Sequence, residues 1–351
     1  MAPNILSTES KMLTEENTEN EKSSITTKMI DDKNNEQNRS KSYIKTKGSL
    51  KMELKWFNIV TLSLFHLGFV YACFTFKFFE NLKTTLWLIV MILTSGLGVT
   101  AGVHRLWTHR AYKAKWQLRT ILAIFYTSAG MNDIHEWVRD HRVHHKYTDT
   151  DADPHNSNRG FFFSHVGWLM MKKHPDVIRK GSEIDMSDIL ADPVAAFNVK
   201  YFSILKFIFA FLLPVMLPVY AWNETWSRAI VSQIFIRYVF TLNGTWSVNS
   251  AAHIWGSKPY DVHINPTENC WVNWTTGGEG SHNYHHVFPW DYKASEFPNS
   301  TTTNFINFFA KFGWAYDLKE PSEELIKTVA MKKGDGSHSL WEAVPYPPKI
   351  K

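Results

Sequence analysis

The sequence predicts an all-α integral membrane protein with four transmembrane helices, and three observations carry that reading. First, four apolar runs approach the roughly 20 residues that a helix needs to cross a bilayer. They are "WFNIVTLSLFHLGFVYACFTF" at 56–76, "TTLWLIVMILTSGLGVTAGV" at 84–103, "YFSILKFIFAFLLPVMLPVYAW" at 201–222, and a weaker run near 227–247. Second, aromatics make up 15% of the 351 residues, including 15 Trp, a residue favoured at bilayer interfaces. Third, basic residues gather beside the runs and avoid the short connections.

Taken in order, residues 1–50 are rich in Asn, Lys, Thr, Ser and Glu, with acids and bases in rough balance. Such a segment buries too little apolar surface to offset its ordering entropy, so it reads as a disordered cytosolic tail. It lacks the apolar core of a signal peptide and is too acidic, through Glu15, Glu16, Glu19 and Glu21, for a transit peptide.

Orientation follows from the cations. Lys45, Lys47, Lys51 and Lys55 precede the first run, and Arg105, Arg110, Lys113, Lys115 and Arg119 follow the second. Lys172, Lys173, Arg179 and Lys180 lie between the second and third. By the positive-inside rule, both termini and the central segment are cytosolic. A fifth apolar stretch, 118–134, is short for a span and reads as a buried or interfacial helix. Arg237 lies inside the fourth run and needs an acid or a carbonyl as partner, because an unpaired charge there is costly.

Composition excludes several functions. Two distant cysteines, Cys73 and Cys270, with no CxxC, argue against thiolate zinc and iron–sulfur sites. The net charge of +5 sits beside apolar runs, which points to a membrane surface and not to nucleic acid.

Histidine supplies the chemistry. "HRLWTH" holds His104 and His109, "HRVHH" holds His141, His144 and His145, and "HNYHH" holds His282, His285 and His286. These eight are half of the chain's 16 histidines, all on the cytosolic side of the expected topology. Positions three and four apart share a helix face. Imidazole suits iron, copper, nickel and zinc. Eight imidazoles exceed one tetrahedral zinc site. Two iron ions would use them all and allow redox work with oxygen. The isolated histidines His66, His155, His174 and His338 read as surface residues near lipid headgroups. The acids of "DTDAD", 149–153, either accept hydrogen bonds from imidazole N–H groups or form a solvated loop.

With these motifs in place, the chain resembles the membrane-bound acyl-CoA desaturases, the stearoyl-CoA desaturase group, and most of all their insect members. "GVTAGVHRLWTHRAYKAKWQLR", "EWVRDHRVHHKYTDTDADPHN", "GFFFSHVGW", "VNSAAH", "KPYD" and "GEGSHNYHH" carry the resemblance, in order. It implies a desaturase domain over 51–320, a cytosolic C-terminal tail over 321–351, and a cytosolic helical cap holding a histidine-rich di-iron site. It implies a fatty acyl-CoA substrate and an endoplasmic reticulum membrane. It implies that electrons come from cytochrome b5 and its NADH-dependent reductase, and that the double bond is of Δ9 or Δ11 type. The ligands of two Fe2+ ions carry over as His104, His109, His141, His144, His145, His253, His282, His285 and His286, with Asn249 acting through a water. Asn132, Arg139 and Asp140 match headgroup contacts, with Lys172 and Lys173 as a basic pair for phosphates. Trp137, Thr245 and Trp246 match the wall of a bent acyl tunnel. Met131 stands where a glutamine is usual, and Ser281 where an aromatic is usual.

Three other readings compete. A related di-iron hydroxylase or acetylenase would carry the same ligands. A catalytically dead homologue would also keep them. A membrane metal-binding or transport protein would place its ligands near the bilayer midplane, whereas these histidines fall outside the apolar runs.

Overall fold

The structure is a computed structural model that describes residues 53–297 and 300–340. The tail expected over 1–50 lies outside the described residues. Helix α1, Trp56–Thr75, follows from an unbroken apolar run and turns Leu64, Leu67 and Phe74 outward. An apolar face with no protein partner is what a lipid-facing helix requires. Helix α2, Leu82–Thr108, begins at the Asn81 cap and winds as a π-helix over its last stretch, Gly98–Thr108.

Helix α3, Trp116–Ala129, buries Leu118, Leu122, Tyr126 and Ala129 at helical spacing. It packs on α2 at Gly98, where a Cβ would lie 2.0 Å from the Tyr126 backbone nitrogen. This is the buried helix expected from the fifth apolar stretch. Gly130 ends it in the left-handed conformation, φ 68°. Asp133 then caps helix α4, Ile134–Lys146, by accepting from the Glu136 N–H.

Short helices α5, Phe161–His165, and α6, Pro175–Ser182, lead to the long helix α7, Pro193–Trp222. Asp192 caps α7, with Pro193 in its first turn. Helix α8 runs without a break over 226–254. Beyond it lie α9, Cys270–Thr276, α10, His282–Val287, α11, Thr301–Lys311, and α12, Glu323–Lys333. One antiparallel pair, β1 (Lys113–Ala114) with β2 (Ala315–Tyr316), ties the segment after α2 to the segment after α11.

Among the described residues, three helices are long and apolar enough to cross a membrane: α1, α2 and α7. The expected fourth run forms α8, but Arg237 and Asn243 leave it less apolar than the others. Arg237 is fully buried and donates to the carbonyls of Ser128 at 2.6 Å, Gln233 at 3.1 Å and Ala210. Carbonyls, not an acid, are its partners. The fold also runs past residue 320. Ile326 and Ala330 of α12 pack on Tyr260, Tyr284 and Phe288, so part of the segment read as a C-terminal tail is buried against the rest.

Candidate metal centre and cavity

The histidine clusters converge, and they do not stay grouped by motif. His104, His109, His141, His145 and His285 form one set, with ring nitrogens within 4.8 Å of one another. His144, His253, His282 and His286 form a second set within the same 4.8 Å. Local winding explains the sorting. A π-helix bonds residue i to i+5, and the His109 N–H donates to the His104 carbonyl at 3.1 Å. The five-residue spacing of "HRLWTH" therefore brings both rings together, with centroids 4.8 Å apart. On α4, His141 and His145 share a face and join the first set, while His144 turns to the second. On α10, His282 and His286 share a face and join the second set, while His285 turns to the first. Each of these two helices thus feeds both sets from adjacent faces.

Carboxylates stand behind the rings. Both oxygens of Asp153 accept from His144 Nδ1 at 2.9 Å, and Asp149 accepts from His253 Nδ1 at 3.0 Å. A carboxylate behind a ring fixes its tautomer and turns Nε2 inward. "DTDAD" thus divides, with Asp149 and Asp153 orienting imidazoles while Asp151 is exposed. Glu279 pairs with the buried Arg105 at 2.5 Å and lies 3.6 Å from His104 Nδ1. Burial would raise the Glu279 carboxyl, but Arg105 and His104 outweigh it and push it down to about 2.

Burial, reinforced by neighbouring imidazoles, holds His109, His141, His145, His282, His285 and His286 well below the ordinary histidine range. They are neutral at pH 7, with lone pairs free for a cation. His144 goes the other way, because Asp153 outweighs its burial.

The donor set fits a bound metal. Nε2 atoms of His104 and His285 lie 2.9 Å apart, His253 and His282 3.0 Å, and His145 and His285 3.1 Å. Ligands about 2.1 Å from one ion sit about 3.0 Å apart at right angles and about 3.4 Å apart at the tetrahedral angle. The Nε2 atoms of His109, His141 and His144 are buried with no hydrogen-bond partner, a costly state that a metal ion relieves.

A cavity of about 760 Å³ reaches these rings and touches His104, His141 and His282. Most of its wall is apolar, as a pocket for an apolar ligand requires. Asn132, Trp137, Asp140, Thr245, Trp246 and Asn249 all line it. Trp137 stacks on His141, with centroids 4.8 Å apart. Asn249 sits one helical turn before His253 on α8. Arg139 and Lys173 stand behind the wall, holding Asp140 at 2.9 Å and 2.5 Å, and Lys172 is exposed beside them. Of the two unusual positions, Met131 lines the cavity and Ser281 faces Ser295 at 3.0 Å.

Sequence reasoning missed several residues. His155, read as a surface histidine, is buried, sits within 4.8 Å of His144 and Asp153, and meets Trp168 edge-on. Its Asp-x-His spacing with Asp153 was the available signal. His66 is likewise no surface group: its Nε2 accepts from the Asn243 amide at 3.1 Å, and its ring stacks on Trp246. His338 is buried against Glu296 at 2.7 Å, and His174 caps α6. Glu279 stood unassigned inside "GEGSHNYHH".

Comparison with known proteins agrees with the geometry. The fatty acid desaturase family model matches residues 52–298. An acyl-CoA Delta-9 desaturase of Acheta domesticus is 53% identical over 294 residues, 83% of this chain and 82% of the relative. An acyl-CoA Delta(11) desaturase of Spodoptera littoralis is 49% identical, covering 87% and 91% of the two chains. Human stearoyl-CoA desaturase is 48% identical, covering 83% and 81%. With one family model spanning most of the chain and histidines gathered as an iron-dependent enzyme requires, the chain belongs to the fatty acid desaturase family.

Proposed function

We propose that this protein is an O2-dependent acyl-CoA desaturase that places a double bond, of Δ9 or Δ11 type, in a saturated fatty acyl-CoA. The observation that carries the proposal is the junction of an apolar cavity with two histidine sets, at His104, His141 and His282. The nine histidines would hold two iron ions, with Asn249 reaching one of them through water. Iron bound there supplies the oxygen activation needed to take two hydrogens from an unactivated pair of methylenes, with two electrons and two protons completing the reduction of O2 to water.

The chain's own residues select where this happens. Trp137, Thr245 and Trp246 wall the cavity and would hold the acyl chain in one register, so that position rather than intrinsic reactivity decides which carbons react. Asp149 and Asp153 hold the Nδ1 protons of His253 and His144, which fixes the tautomer that leaves Nε2 as the nitrogen facing inward. Asn132, Arg139, Asp140, Lys172 and Lys173 would meet the headgroup, with Asp140 already braced by Arg139 and Lys173. Cytochrome b5 and its NADH-dependent reductase would supply the electrons.

The apolar helices support a membrane setting. Helix α8 would be a fourth span beside α1, α2 and α7, its Arg237 satisfied by carbonyls. The histidine-bearing segments would then form a cytosolic cap on an endoplasmic reticulum membrane, with both termini cytosolic. A desaturase domain beginning near residue 51 would extend through α12.

Expression in yeast lacking its own acyl-CoA desaturase tests the proposal. Mass spectrometry after double-bond derivatisation is expected to find a new monoene. An alcohol would instead favour a hydroxylase. No product from saturated chains of varied length, with stable protein, would overturn the reading.

A further inference from the structure

One charge in the cavity has no counter-charge. Three charged side chains other than histidine line it: Asp140, Glu279 and Lys206. Asp140 is held by Arg139 and Lys173, and Glu279 by Arg105. Among the described residues, Lys206 is the one Lys or Arg on the wall, and no carboxylate lies within ion-pair distance of it. It sits inside the membrane-spanning helix α7, where a lysine is expensive and marks function by default. Its Nζ donates to the Met131 carbonyl at 3.1 Å and lies 5.7 Å from the Phe202 ring centre. An ammonium has three N–H donors, so two remain for an acceptor in the cavity.

The location narrows the acceptor. Met131 and Asn132 precede α4, and α4 then rises about 10 Å from Ile134 to His141 at the histidine sets. Lys206 therefore bonds the backbone just before α4, on a wall shared with Met131 and Asn132, whereas His141 and His145 sit on the later turns of that helix. This placement rests on the acyl-CoA reading above. An acyl chain carries no acceptor along its methylenes, and its first oxygen is the thioester carbonyl. A cation facing only methylenes would be left unsolvated, which is costly.

We propose that Lys206 donates to the thioester carbonyl of the bound acyl-CoA and so pins the first carbon of the chain. It is a specificity-determining residue: with the carbonyl fixed, the number of methylenes between Lys206 and the histidine sets selects the bond position. Lys206 interrupts the apolar run "YFSILKFIF" and is legible there as an anomaly, but only the fold turns it towards the cavity.

The test compares two probes on the purified full-length protein in detergent: stearoyl-CoA, and its thioether analogue in which a methylene replaces the carbonyl. Wild type is expected to bind the thioester about tenfold to a hundredfold more tightly, the range for a hydrogen bond to a charged group. K206M is expected to bind both probes alike, and K206R to keep part of the preference. K206Q serves if K206M does not fold. Equal binding of both probes by wild type overturns the assignment, as does an unchanged preference in folded K206M or K206Q. If wild type binds neither probe, the acyl-CoA reading fails, and this assignment falls with it.

Discussion

Asp149 accepts a hydrogen bond from His253 Nδ1 at 3.0 Å across 104 residues of sequence. The contact ties the loop after α4 to the end of α8. Burial would raise the Asp149 carboxyl, but bonds from His253 and Ser157 outweigh it and hold the group far below the ordinary carboxylate range. Asp149→Asn keeps the shape and removes the charge behind the ring. Metal affinity is expected to fall about 10- to 100-fold, read as iron content against free iron. Unchanged affinity would remove Asp149 from the site.

His145 links the sets, 3.1 Å from His285 and stacked 4.1 Å from the His286 ring. His145→Ala is expected to abolish turnover while membrane insertion persists. Fatty-acid profiles and membrane fractionation check the two halves separately. Wild-type activity in this variant would sink the metal-site argument.

Gly98 permits the closest approach of α2 to α3. A methyl there would meet the Tyr126 backbone at 2.0 Å, and backbone cannot swing aside as a flexible side chain can. Gly98→Ala is expected to destabilise the protein by about 1–3 kcal/mol. A lowered midpoint in thermal unfolding in detergent would show it, whereas Gly96→Ala, with open space around it, should change little.

Glu268 accepts from the Tyr284 N–H at 2.9 Å, and burial pushes its carboxyl up to about 7. A carboxyl raised in the folded state binds more protons there than when unfolded. Its contribution is therefore largest at low pH and is lost as pH rises from its ordinary value through about 7. Glu268→Gln removes the titrating carboxyl. The stability of wild type relative to Glu268→Gln should fall between pH 5 and pH 8. A constant difference across that range would contradict the shift.

Much of the site was legible because histidine motifs at helical spacing are local signals. "HRVHH" and "HNYHH" place rings on shared helix faces whatever the fold around them. The five-residue step of "HRLWTH" was ambiguous, since it matches no α-helical face, and became readable only as a π-helix. His155 and Lys206 were missed or passed over for a different reason. A single buried polar residue has no periodicity to announce it, and its meaning depends on which distant groups surround it.

By itself the sequence determined the helical class, the apolar runs and the identity of the clustered histidines, because helix formation and hydropathy are properties of short stretches. Local winding divides each motif between two faces, but which faces of which motifs meet in one set was decided by tertiary structure. So were the pairing of Asp149 with His253, the carbonyl partners of Arg237, and the packing of α12 on Tyr284. Those contacts join residues far apart in the chain, and each depends on how close two helices come. That distance is set by the packing of whole faces, which no local motif contains.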